Sequence, residues 1–283
     1  MKYKAVFVLG TDQLAAYCAR EIKQRQCDVR VMDTGNKPGG MLSTACRNIG
    51  IAYNYMDRQE RESAILDVPS PTLLVSVVNP WLIPRRIFEK KGLVAVNLHH
   101  SLLPHHPGRN AESWAVYEGD DHAGVSWHFI SEKVDAGNII IQKSVAIDDK
   151  ITALGLFKIQ NELAKSAFSE ICQSLLEGTL SGRPQSCYAY KIHYSREKPN
   201  DGYLDPMWDA AKTSRFLRAM DYGLLKVMGD PKITIGADTY SWSRYSIVEN
   251  KAMAAQGIRV DGQTITLYKE ETSFILNNIK KVN

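Results

Sequence analysis

The chain has 283 residues, of which 44% are hydrophobic and 23% charged, and a formal net charge of +4. This size and balance suit a soluble globular protein with a main domain and a smaller one, and exclude a minimal single-motif fold. The mild charge fits a small anionic substrate and excludes a dedicated nucleic-acid binder, while no apolar run reaches the roughly 18 residues of a membrane-spanning helix.

Tyr3 to Leu9 is a short apolar run ending at Gly10 and reads as a buried parallel strand. It is too short, and lacks the small-residue cleavage pattern, for a signal peptide. Thr11 or Asp12 can cap the next helix, in which Leu14, Ala15, Cys18 and Ile22 recur on one face. Asp28 to Met32 reads as a second strand, completing a β-α-β start typical of open α/β sheets. After Gly10 no further glycine follows in Gly-x-Gly-x-x-Gly spacing, so a dinucleotide cofactor has little support. Lys37 to Gly40 reads as a loop and Ser43 to Asn48 as a short helix.

Thr72 to Val78 is the clearest strand, ending at Asn79-Pro80-Trp81, with a short helix over Pro84 to Lys90. Gly92 to Leu98 forms another strand, followed by a helix over Arg109 to Tyr117 and strands over Gly124 to Ile130 and Asn138 to Val145. Thr152 to Leu176 is a long amphipathic helix. Beyond residue 198 come a helix over Trp208 to Met220 and short strands at Ile233–Ile235, Thr239–Val248, Ile258–Val260, Thr264–Tyr268 and Ser273–Leu276. Asp261-Gly262 marks a hairpin between two of them, and Lys280-Lys281 reads as a solvated tail. The expected division is 1–198 for a catalytic α/β domain and 199–283 for a small, mainly-β C-terminal domain. The five cysteines (Cys18, Cys27, Cys46, Cys172, Cys187) are scattered and form no Cys-x-x-Cys pair, which points to a reducing cytoplasm rather than a disulfide framework.

Six of the seven histidines (His99, His100, His105, His106, His122, His128) fall between Val96 and Gly137, beginning at a strand's carboxyl end, where open α/β sheets bind ligands. Asn97 and His99, two apart on a strand, share a face. An amide can donate to an oxygen gaining negative charge, an imidazole can move a proton, and a carboxylate such as Asp135 can orient that imidazole. By spacing alone this is one of several triads the window allows. His100, His105, His106 and His122 read as structural or solvent-facing groups, or as neighbours of an acceptor pocket. A zinc site from His99, His105 and His128 lacks the His-Glu-x-x-His spacing or an equivalent. Trp81 and Trp127 read as core.

The ordered run Asn97-x-His99-x-Ser101-Leu102-Leu103-Pro104, then Gly108, then Gly124-Val125-Ser126-Trp127-His128, then Asp135-x-Gly137, resembles the formyltransferase family that uses N10-formyltetrahydrofolate. The likeness covers about residues 1 to 190 and extends more loosely to Gly202–Asp205 and Arg218–Tyr222. It implies an open, mostly parallel, Rossmann-like α/β domain that transfers formyl groups without a metal. By the same resemblance Asn97 would hold the formyl oxygen, His99 would shuttle protons, and Asp135 would tune His99 or order a water. Pro80, Trp81, Leu82, Ile83 and Val134 would line the folate pocket, the first four mainly through backbone. Gly10, Thr11, Ser101, Gly108, Arg109 and Asn110 would lie on the acceptor side.

The acceptor is less constrained. From Pro199 to the end, eleven lysines and arginines face ten aspartates and glutamates, so the C-terminal domain has no basic excess for tRNA. The segments around Gly124–His128 and Arg218–Gly223 look most like the natural-product and siderophore branch, whose acceptors are amino-acid-derived or carrier-bound amines. An amino-sugar nucleotide is the alternative, followed by methionyl-tRNA and by hydrolysis of the formyl-folate with water as acceptor; a non-catalytic nucleotide- or folate-binding protein is the remaining reading. No membrane or nucleic-acid partner is expected, and the mainly-β domain offers a surface for a homodimer.

Overall fold

The computed structural model describes residues 2–186, 191–249 and 256–282; Cys187 lies outside them. The chain divides into two compact units, one of Met1–Gly108, Gly124–Val145 and Ile159–Ile192, the other of Arg109–Ala123, Ala146–Lys158 and His193–Asn283. The second unit thus takes in Arg109–Ala123, Ala146–Lys158 and residues 193–198, all of which sequence reading places with the catalytic domain.

The first unit is built on a seven-stranded sheet of β1 (Ala5–Gly10), β2 (Arg30–Asp33), β3 (Ala52–Tyr55), β4 (Thr72–Val77), β5 (Leu93–His99), β6 (His122–Phe129) and β7 (Ile139–Ala146), ordered β3-β2-β1-β4-β5-β6-β7. The first five strands run parallel and β6 runs antiparallel to β5. The strands are apolar without alternation because both faces are covered. Val6, Val8, Leu73 and Val75 pack toward α1 (Gln13–Gln24), α2 (Gly40–Asn48) and the part of helix Ala153–Glu177 that carries Phe168 and Ile171. Phe7, Leu9 and Leu74 turn to the opposite face, against α3 (Arg58–Leu66) and α4 (Arg85–Phe88) through Ile65 and Ile87. Strand order reverses between β1 and β4, which opens the crevice where such sheets bind ligands.

Asp12, rather than Thr11, caps α1, accepting from the Leu14 amide at 3.0 Å, because the Thr11 hydroxyl donates to the Val78 carbonyl. Neither β3 nor α3 is among the sequence-read elements. β3 is only four residues long, and α3 buries little besides Ile65 on its apolar side, although Asp57 and Glu60 form a reciprocal capping box at its start. Cys18, Cys27, Cys46 and Cys172 are all buried free thiols, and burial pushes the Cys46 and Cys172 thiols up to about 11.

In the second unit α5 (Ala111–Glu118) packs on a helix at Ala210–Ala219, with Trp114, Phe216 and Leu217 buried. Counting Ala153–Glu177 as α6, this helix is α7. Among the described residues the unit also carries the short strands β8 (Tyr203–Leu204), before α7, and, after it, β9 (Lys232–Ile235), β10 (Asp238–Ser241), β11 (Arg244–Glu249), β12 (Gly257–Asp261), β13 (Thr264–Lys269), β14 (Thr272–Asn277) and β15 (Lys280–Val282). They form two sheets, β15-β10-β9-β8 and β11-β14-β13-β12. The expected hairpin at Asp261-Gly262 joins β12 to β13, with Gly262 at a φ of 56°.

One strand expectation fails. Thr239–Val248 is not one strand: the chain breaks at Trp242, whose side chain is buried, and passes from one sheet into the other. Lys280 and Lys281 are solvent-exposed as expected, and they lie in β15, which pairs with β10 and places the Lys281 ammonium 2.6 Å from Asp238. Among the described residues no helix is long and apolar enough to cross a membrane.

Candidate active site

The site in the first unit forms where β1, β4 and β5 end. β5 pairs with β4 on one side and β6 on the other, which sets Asn97 between Ser76 and His128. The Ser76 hydroxyl donates to Asn97 Oδ1 at 2.7 Å, and Asn97 Nδ2 lies 3.2 Å from His128 Nε2. His128 Nδ1 faces the Phe129 carbonyl at 2.8 Å. A carbonyl only accepts, so Nδ1 carries the ring hydrogen in neutral His128 and Nε2 accepts from Asn97. One Asn97 amide hydrogen is thereby used. The second has no partner among the described residues, and Asn97 is only half-buried, so it can reach a ligand.

His99 is buried and also directionally fixed. Its Nε2 meets the His106 carbonyl at 2.8 Å and must hold the hydrogen, which leaves the Nδ1 lone pair to take a proton. Nδ1 lies 3.4 Å from one carboxylate oxygen of Asp135, and the other oxygen lies 3.6 Å from His128 Nε2. Burial lowers the His99 pKa, an effect partly offset by the Asp135 charge and the His106 carbonyl, so at neutral pH the ring is a neutral base. Burial alone would raise the Asp135 carboxyl. The neighbouring His99 and His128 rings, together with the Gly108 amide, outweigh that and hold it well below the usual carboxylate range.

The loop carrying these groups is braced from below. Asp135 sits in the left-handed region at a φ of 51°, and its carboxylate accepts from the Gly108 amide at 2.8 Å. The Gln185 amide donates to the carbonyls of Asp135 and Gly137, at 2.7 and 2.8 Å. Gly137 has no room for a side chain, because a Cβ there would overlap the Phe129 carbonyl. Ser101 donates to the His105 carbonyl at 2.6 Å, tightening the histidine run. Ser126 donates to the Ser101 carbonyl and accepts from the Leu103 amide and Gln142.

The candidate folate-side residues divide by exposure. Trp81 is buried, its ring packed under the Arg61 guanidinium at 4.8 Å, so its side chain belongs to the core. Pro80 and Leu82 are exposed, Ile83 half-buried and Val134 exposed. The turn that displays Pro80, Leu82 and Ile83 starts at Val78, whose φ of 47° is unusual for a β-branched residue. Asn79 shapes it by accepting from the Trp81 amide at 2.9 Å. Thr11 stands beside this turn through its bond to the Val78 carbonyl, and Gly10 is the last residue of β1, with Val77 and Ala15 against its α-carbon.

Arg109 and Asn110 belong to the second unit. The Arg109 amide donates to the His193 carbonyl, and Asn110 begins α5 at a φ of 56°. Of the other histidines, His100 meets the Asn161 amide oxygen at 3.0 Å, His122 starts β6 at the surface, and His193 stacks on Trp114 at 4.1 Å. Sequence reasoning left out Ser76 and gave His128 no role. Their signals were present: Ser76 is the only polar residue between Leu73 and Val78, and His128 closes the run Gly124–His128.

The model of the formyl transferase family matches residues 4–171, more than half of the chain. GDP-perosamine N-formyltransferase of Brucella melitensis is 33% identical over 177 residues, covering 60% of this chain and 66% of that protein. Methionyl-tRNA formyltransferase of Desulfotalea psychrophila is 32% identical over 152 residues, 54% of this chain and 47% of that protein. The chain therefore spans less than two thirds of the length of these relatives. A solved N-formyltransferase from Helicobacter canadensis, in complex with folinic acid and dTDP-3-aminofucose, superposes with a TM-score of 0.76 at 15% identity, over 97% of this chain and 99% of that one. At that identity the likeness establishes the fold.

Proposed function

The chain belongs to the formyl transferase family, and from that premise we propose that it moves a formyl group from N10-formyltetrahydrofolate to the primary amine of an amino-sugar nucleotide. The observation that carries the reading is the half-buried Asn97 amide with one hydrogen unused, beside a neutral His99 whose Nδ1 faces Asp135. This arrangement fits a formyl donor, since it offers a hydrogen-bond donor to an oxygen gaining charge and a base to an amine losing a proton.

The neutral acceptor amine bonds to the formyl carbon, and the carbon–N10 bond breaks. One proton leaves the new amide nitrogen and one is taken up by N10. Asn97 Nδ2 donates to the formyl oxygen as negative charge develops there. His99 takes the amine proton at Nδ1, the nitrogen not held by the His106 carbonyl, and returns it to the leaving nitrogen. Asp135 stabilises the imidazolium in between. Pro80, Leu82, Ile83 and Val134 supply the exposed and half-buried surface for the pterin, and Gly10, Thr11, Ser101 and Gly108 lie on the acceptor side; Arg109 and Asn110 are assigned to the acceptor on the family resemblance.

The relatives favour an amino-sugar nucleotide over the amino-acid-derived amine that the sequence alone puts first. The balanced charge of the C-terminal stretch speaks against tRNA, although a methionyl-tRNA formyltransferase is among the relatives. The test is to incubate the protein with formyl-folate and a panel of acceptors: GDP- and dTDP-linked amino sugars, hydroxyornithine and other amino acids, methionyl-tRNA, and water alone. Formylation of an amino-sugar nucleotide is expected, and Asn97→Ala should lower its turnover by about a hundredfold or more. Formylation confined to another acceptor, formate release without an amine, or an Asn97→Ala variant of near-normal rate would each refute the reading.

A further inference from the structure

Asn97 can serve an oxyanion in only one of its two amide orientations. A half-turn of the carboxamide replaces the donor with an oxygen that would repel the developing charge. The orientation is set by a hydrogen-bond chain anchored at both ends on backbone. The Trp81 amide donates to Asn79 Oδ1 at 2.9 Å, and Asn79 Nδ2 donates to Ser76 Oγ at 3.2 Å. The Ser76 hydroxyl donates to Asn97 Oδ1 at 2.7 Å, Asn97 Nδ2 donates to His128 Nε2 at 3.2 Å, and His128 Nδ1 donates to the Phe129 carbonyl at 2.8 Å.

A backbone N–H can only donate and a backbone carbonyl can only accept, so the direction of every link between them is determined. Ser76 is the junction. It is buried, its oxygen accepts from Asn79, and its one hydrogen goes to Asn97 Oδ1, the atom left facing it once Asn97 Nδ2 donates to His128. We propose that Ser76 is a positioning residue for the formyl transfer, holding the Asn97 carboxamide in its donating orientation and linking it to the Asn79–Trp81 turn. The inference rests on the role given to Asn97 above.

Threonine and valine have nearly the same volume, and both suit a strand, but only threonine keeps the hydroxyl. Ser76→Thr, Ser76→Val and Ser76→Ala are made in the full chain, and each again with Asn97→Ala, with thermal melting as a check on folding. Ser76→Val and Ser76→Ala should lower kcat by about 10- to 100-fold, less than loss of the donor itself, with KM for both substrates within about threefold. Ser76→Thr should recover most of the lost turnover. In the Asn97→Ala background the three substitutions should have equal, small effects, because the group they orient is gone.

Equal turnover for Ser76→Thr and Ser76→Val, a loss in KM rather than kcat, or a full additional loss on top of Asn97→Ala would overturn the proposal. Its failure is separable from failure of the function. If Asn97→Ala retains its rate the oxyanion role falls, whereas an inactive Asn97→Ala with hydroxyl-independent Ser76 variants removes only the positioning role.

Discussion

Replacing Asp135 by asparagine removes a charge and keeps the shape, so it isolates what the carboxylate does for His99. The 3.4 Å separation corresponds to about 5 kcal/mol between unit charges at an effective dielectric of 20. Observed shifts from a carboxylate at this range are smaller, about 1–3 pH units, or roughly 1.4–4 kcal/mol. His99 already has a lowered pKa because burial disfavours its charged form, and Asp135 offsets part of that. Without the carboxylate the pKa must fall further. On the proposed role of neutral His99 as the base, the acid limb of the kcat/KM profile should move to lower pH by about 1–3 units. The imidazolium formed during transfer loses the same stabilisation, so kcat on the plateau should drop by about 10- to 1000-fold. The asparagine can still accept from the Gly108 amide, so the loop should hold its place. Formyl transfer followed from pH 5 to 9 in both proteins measures the two effects. An unmoved acid limb, or one displaced upward, would show that Asp135 does not act on His99.

Trp127→Ala should destabilise the fold by about 3–5 kcal/mol in a denaturant melt. The indole is fully buried, lies 5.0 Å from the Phe168 ring and bonds the Ala164 carbonyl, so no other group can fill its place. Stability should also fall with acid in two stages. Folded His99 has a depressed pKa, so the unfolded chain binds its proton first and stability declines as pH drops below about 6.5. Asp135, likewise depressed, contributes stability above about pH 3.9 that is lost as the pH falls further. Asp135→Asn should weaken the second stage in melts across pH 2 to 7, leaving the part that Asp148 and Asp238, also held low, contribute.

Much of the catalytic unit is legible in the residues. Leu73 to Val77 is apolar at every position but one because both sheet faces are covered, and Asn97 and His99 share a face because a strand repeats every two residues. The histidine excess misleads until partners are known, since His100 finds Asn161, away from Asp135, and His122 stands at the surface. α3 was hidden by its polarity, with only its capping box to mark it. The break inside Thr239–Val248 was hidden because β10 and β11 are each good strand sequence, and only Trp242 between them shows where the chain changes sheet.

The amino-acid sequence by itself determined most of the element types, because backbone preference, burial period and capping are encoded within a few residues of each other, and its ordered motifs carried the family resemblance that singles out the candidate triad. Tertiary structure alone decided that Asp135 meets both His99 and His128, that His99 is left with Nδ1 as its basic nitrogen, and that Ser76 faces the Asn97 amide. Those relations depend on β5 lying between β4 and β6, with this register. Strand order and register join residues far apart in the chain, and no local period records them.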